Sequence, residues 1–84
     1  MHIHVVNPNA SAAMTEGIAT AAEAAAPAGA RVTTTGAAGG PLSIEGPVDG
    51  ARAVPWMLER IEAAEGWGVD APDAHVIACF DDTG

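Results

Sequence analysis

The 84-residue chain has no lysine, no tyrosine, one phenylalanine and a single cysteine, Cys79. Each shortage removes a class of function. Without lysine there is no Walker-type phosphate contact, and the glycine-rich stretch 36–40 matches neither GxxxxGK[ST] nor GxGxxG, so a nucleotide cradle is not expected. Three basic residues against eleven acidic ones leave a net charge of −8, which repels phosphate backbones and anionic membranes; neither nucleic acid nor a lipid surface is expected as a partner. One cysteine cannot close an internal disulfide. With no basic leader and no long apolar run, the reading is a reduced, cytoplasmic protein.

Aromatic residues are scarce too. The apolar fraction is 49%, but much of it is alanine, which buries little area per residue. A chain of this size removes only about 60–65% of its unfolded surface from water, so a single thin-cored domain is expected.

What is present alternates. Ile3 to Val6 reads as a strand that ends at the turn Asn7-Pro8-Asn9. Ser11 is placed to cap a helix in which Met14, Ile18, Ala21, Ala22 and Ala25 recur at helical spacing, and Pro27-Ala28-Gly29 stops it. Ala30 to Thr35 suits a second strand. A second helix is expected over 48–65 through Val54, Met57, Leu58, Ile61 and Ala64, with Pro55 either kinking it or marking its start. Ala74 to Cys79 supplies a third strand. Strand–helix–strand–helix–strand with right-handed crossovers predicts an α/β fold: a three-stranded parallel sheet, order 2-1-3, with flanking helices.

Ligands of such sheets bind beyond the carboxyl ends of the strands where the winding reverses. Asn7, Asn9 and Ser11 follow strand 1, Ser43 and Glu45 follow strand 2, and Cys79 to Thr83 follow strand 3. A thiol there meets the field and N–H groups that favour a thiolate, although a lone cysteine is also a common buried hydrophobe. The asparagines can shape the turn around Pro8, or offer donor and acceptor together to an amide-like substrate. Asp81 and Asp82 suit loop and capping roles. His2 and His4 share a strand face but sit at the opposite end with no third ligand in view, so no metal site is assigned. Trp56 and Trp67 read as packing anchors or as a subunit contact.

Three co-linear segments, spread over essentially the whole chain, resemble the aspartate/glutamate/hydantoin racemase superfamily: Val6 to Thr15, Pro41 to Gly46, and Val76-Ile77 leading into Ala78-Cys79-Phe80-Asp81-Asp82-Thr83-Gly84. The resemblance implies cofactor-independent racemisation of amino acids or their derivatives, with two cysteines flanking the substrate α-carbon. It makes Cys79 the first acid/base residue and Asn9, Ser43, Phe80 and Asp81 the substrate-binding set, Asp81 as a partner for a ring N–H. Aspartate and glutamate racemases follow this cysteine with Asn-Thr. Here Phe80-Asp81 follows instead, and cations for a second carboxylate are few, which favours the hydantoin or allantoin side.

Family members have two similar α/β halves. Residues 1–84 correspond to the N-terminal lobe, so the chain reads as truncated after the first cysteine motif and inactive alone. A homo-oligomer or a missing C-terminal half is then the expected partner, beside a small-molecule substrate. The same residues leave open a decarboxylase or isomerase of a small diacid, or a non-catalytic fragment that pairs with another chain. A phosphatase loop would need an arginine six positions after the cysteine, beyond Gly84.

Overall fold

The computed structural model describes residues 1–42, 44 and 47–78. Strand β1 (His2–Asn7) is the centre of a three-stranded parallel sheet, with β2 (Arg31–Gly36) on one side and β3 (Ala74–Ile77) on the other. The order β2-β1-β3 is the one expected from the alternating pattern. Register places Val6 beside Thr35 and Ile77, and Asn7 beside Gly36, so the carboxyl ends of all three strands reach one edge.

Helix α1 (Ala12–Ala25) begins where the sequence put it. The Ser11 hydroxyl accepts from the Met14 N–H, satisfying one of the helix's free donors. It packs against β1 and β2, yet buries none of its residues, and Met14 is 51% exposed. The face toward the sheet, Thr15, Ile18, Ala19 and Ala22, is half-buried, so the apolar spacing that predicts this helix marks a face that is only partly covered. Nearly every apolar side chain in α1 is alanine, too short to reach deep into the sheet.

Helix α2 (Pro47–Glu65) starts one residue before the expected boundary, at Pro47, and runs continuously through Pro55. Pro55 is thus not its start. A proline is well accommodated at the first helical position, where its missing N–H would have had no helical partner. Gly50, Ala53, Met57 and Ala64 form the buried stripe, whereas Leu58 is exposed. With Val5, Val6 and Ala37 this is a small core, in keeping with the composition.

Beyond α2, a short 3-10 turn (Gly68–Asp70) brings Trp67 against the amino-terminal half of β1. The Trp67 ring stacks on His2 at 6.1 Å and meets the edge of His4 at 5.4 Å. Trp67 is therefore a packing anchor. His4 is fully buried, and its Nδ1 lies 3.0 Å from Nδ1 of His75 on the neighbouring strand. His4 Nε2 meets the Thr35 hydroxyl at 2.8 Å and His75 Nε2 meets Glu65 Oε1 at 3.0 Å. The carboxylate oxygen only accepts, so Nε2 of His75 carries a hydrogen. With His75 neutral, its Nδ1 then accepts from His4 Nδ1–H, and His4 Nε2 accepts from Thr35. The two histidine Nδ1 atoms face each other and are occupied; among the described residues no group of three His, Cys, Asp or Glu side chains could hold a metal ion.

Burial holds the His4 pKa below its ordinary value of 6.5, helped by repulsion from His75, His2 and Arg60. Because the folded value lies below the unfolded one, the unfolded chain binds more protons once the pH falls under 6.5. Stability is accordingly complete above that pH and declines below it, by at most about 1.4 kcal/mol per pH unit for one proton. Urea midpoints taken between about pH 7.5 and about pH 5.5, above the ordinary carboxylate range, should fall with acidity. His4→Leu should remove that part of the slope.

Candidate functional site

The carboxyl edge of the sheet is built from the loop after β1, the loop after β2 and the end of β3. Pro8 follows β1 directly, and the chain turns through Asn9 into α1. Two asparagine side chains organise this turn. The backbone N–H of Asn9 donates to Asn7 Oδ1 at 3.3 Å, and the backbone N–H of Ser11 donates to Asn9 Oδ1 at 2.9 Å. Each is the side-chain mimic of a backbone turn that asparagine forms readily. Asn7 Nδ2 then donates to Asn9 Oδ1 at 2.9 Å and to Thr15 Oγ1 at 3.0 Å, while the Thr15 hydroxyl donates to the Ser11 carbonyl at 3.0 Å.

The second loop is bonded to the first. Ala10 N–H donates to the Pro41 carbonyl at 2.7 Å, and Ala37 N–H is shared between the carbonyls of Asn7 and Asn9 at 3.1 and 3.2 Å. Gly36 must be glycine here: a Cβ on it would stand 2.5 Å from Thr15 Oγ1. The Gly39-Gly40 pair closes the loop over the ring of Trp56. From the third strand, Ala78 N–H donates to the Val6 carbonyl at 2.9 Å, holding the residue before Cys79 against the end of β1.

The structure therefore brings Asn9 to the edge where strand order places a site, bonded through its carbonyl to Ala37 and next to Ala10, which holds the Pro41 carbonyl. Cys79, Ser43, Phe80 and Asp81 lie outside the described residues. The geometry shows the turn-shaping reading of the asparagines and restricts the ligand reading. They do shape the turn, and that work occupies the oxygens of both. The Asn9 oxygen already accepts two hydrogen bonds, so this side chain has no simple donor-plus-acceptor face left. Among the described residues its Nδ2 hydrogen-bonds only to Met14 Sδ, at 3.4 Å, a weak acceptor on an exposed side chain. Sequence reasoning did not single out Thr15, whose hydroxyl completes the network; its position four residues after Ser11, on the first turn of α1, was the available signal.

An open parallel α/β sheet with an Asn-Pro-Asn turn at the carboxyl edge of its central strand is the frame of a protein that binds its ligand beyond the strand ends. The chain belongs to the Asp/Glu/Hydantoin racemase family, whose model matches residues 3–84. It is 45% identical over its full length to a hydantoin racemase of Rhizobium meliloti and 43% identical to one of Paenarthrobacter aurescens, covering 34% and 35% of those proteins. Among solved structures, the allantoin racemase from Klebsiella pneumoniae superposes with a TM-score of 0.86 at 45% identity, over 95% of this chain and 31% of that one. The chain thus spans about a third of the length of the relatives it matches.

Proposed function

We propose that residues 1–84 form the N-terminal lobe of a hydantoin-type racemase and carry the first of its two acid/base thiols. In this reading the Cys79 thiolate removes the α-proton from one face of the substrate. The electron pair is held as an enolate on the adjacent carbonyl, and a thiol from the rest of the enzyme returns a proton to the other face. The two sulfurs exchange protonation states, so no net proton or electron is consumed. Asn9 and Ser43 contact the substrate, Phe80 lines it, and Asp81 meets a ring N–H. The observation that supports the proposal is the Asn9 amide at the carboxyl edge of the sheet, its oxygen held by Asn7 and Ser11 and its nitrogen donating only to the weak acceptor Met14 Sδ.

The lobe alone supplies one thiol, so it should not racemise by this route. The rest of the enzyme, or a second copy, would pair with the open side of β3, where Val76 is 48% exposed. The test is a fusion of this chain to the remaining two thirds of the Rhizobium meliloti hydantoin racemase, given one enantiomer of 5-benzylhydantoin in deuterated water. Loss of optical rotation with deuterium entering the α-position is expected from the fusion and not from the 84 residues alone. Release of carbon dioxide from a small diacid, with no change in the hydantoin, would instead select the decarboxylase reading and overturn this one.

A further inference from the structure

Two backbone N–H groups fix the orientation of the asparagine pair. A backbone N–H can only donate, so the atom facing Ser11 N–H must be the Asn9 oxygen, and the atom facing Asn9 N–H must be the Asn7 oxygen. The amide nitrogen of Asn7 is then obliged to face Asn9 Oδ1 and Thr15 Oγ1, which uses both of its hydrogens. Thr15 can accept because its own hydrogen goes to the Ser11 carbonyl. Every polar atom of the Asn7 side chain is thus occupied within the protein, and the residue is only 1% exposed. It has nothing left to offer a ligand.

We propose that Asn7, held by Thr15, is a positioning residue that locks the buried Asn9 with its amide nitrogen toward the ligand side, where it now donates only to the weak acceptor Met14 Sδ, on an exposed side chain that a ligand oxygen can replace. It follows that Asn9 selects a substrate oxygen, from a carbonyl or carboxylate, and not a ring N–H. The inference rests on the racemase reading for its substrate, but the lock itself does not.

Asn7→Asp is the discriminating variant. It keeps the size and the oxygen that accepts from Asn9 N–H, but it cannot donate to Asn9 Oδ1 and sets an anionic oxygen against it. In the fusion, KM for 5-benzylhydantoin should rise about 100-fold, the scale of a misplaced contact, while kcat changes much less. Thr15→Val should raise KM in the same way, and Thr15→Ser, which restores the hydroxyl, should recover most of the loss. A purely structural role would lower the folded fraction, and apparent kcat with it, at unchanged KM.

An activity-independent measurement goes with it. In the nitrogen-15 spectrum of the 84-residue chain, both Asn7 side-chain amide hydrogens should be protected from exchange, and the Asn9 amide pair should shift in Asn7→Asp. Wild-type KM in an active Asn7→Asp fusion, or an Asn7 amide exchanging as fast as a free one, overturns the lock. A fusion inert toward the hydantoin in every form, with the Asn7 amide protected, overturns the racemase reading and supports the lock.

Discussion

Cys79→Ala in the fused racemase should lower kcat for hydantoin racemisation by about a thousandfold or more, the scale expected when a positioned acid/base group is removed. KM should move little, because a thiol that acts on the α-proton adds little to ground-state binding. Deuterium exchange separates the two faces more sharply than rotation does. If Cys79 serves one face, the variant should lose α-proton exchange for one enantiomer of the substrate far more than for the other. Equal loss from both enantiomers would place Cys79 in substrate positioning. An unchanged rate would remove it from the chemistry altogether.

Asn9→Ala should behave differently from Cys79→Ala. On the proposed reading it deletes the amide offered to a substrate oxygen, so its effect belongs mainly in KM. It also strips the Ser11 N–H and the Asn7 amide of their acceptor, so the α1 entry loses its turn. For that reason the isosteric Asn7→Asp is the cleaner probe of the same contact.

Most of the architecture was legible in the sequence because it depends on punctuation and period. Asn7-Pro8-Asn9, Pro27-Ala28-Gly29 and the Gly66–Pro72 stretch bracket the elements, and the Ser11 cap lies where spacing put it. Alanine as an apolar marker located α1 but overstates its cover. The spacing has the right period, and Ile18, Ala19 and Ala22 are half-buried, yet no residue of the helix is fully covered. Pro55 misled: nothing local shows that Pro47 already holds the first helical position, with Pro55 tolerated further along.

The site was legible to a lesser degree. Its position follows from strand order, and Asn9 stands there. The direction of its amide could not be read, because it is fixed by Ser11 N–H, by Asn7 and, at one remove, by Thr15. The histidine pair shows the same limit. His2 and His4 are visible as one strand face, but His75 is 71 positions away from His4 and joins it only through the parallel pairing of β1 with β3. That third histidine yields a hydrogen-bonded relay from Thr35 to Glu65.

Gly39→Ala should cost the chain about 2–4 kcal/mol, the sum of left-handed backbone strain and overpacking. Gly39 has φ of +96°, and a Cβ there would stand 2.8 Å from the ring of Trp56. Gly29→Ala is the matched control. Its φ is +84°, but its Cβ would enter open space, so it isolates the backbone part at about 1–2 kcal/mol. The difference between the two urea midpoints, at equal slope, measures the ring contact. Gly39→Ala combined with Trp56→Leu should recover much of that difference, giving a coupling energy of about 1 kcal/mol between residues in contact. The consequence reaches the site, since the loop that Gly39 closes over Trp56 is bonded to Asn7, Asn9 and Ala10 through Ala37 and Pro41. In the fusion, Gly39→Ala should therefore raise KM as well as lower stability, whereas Gly29→Ala, on the turn at the opposite end of the sheet, should lower stability alone. A Gly39→Ala fusion with wild-type KM would show that the two loops bind substrate independently of one another.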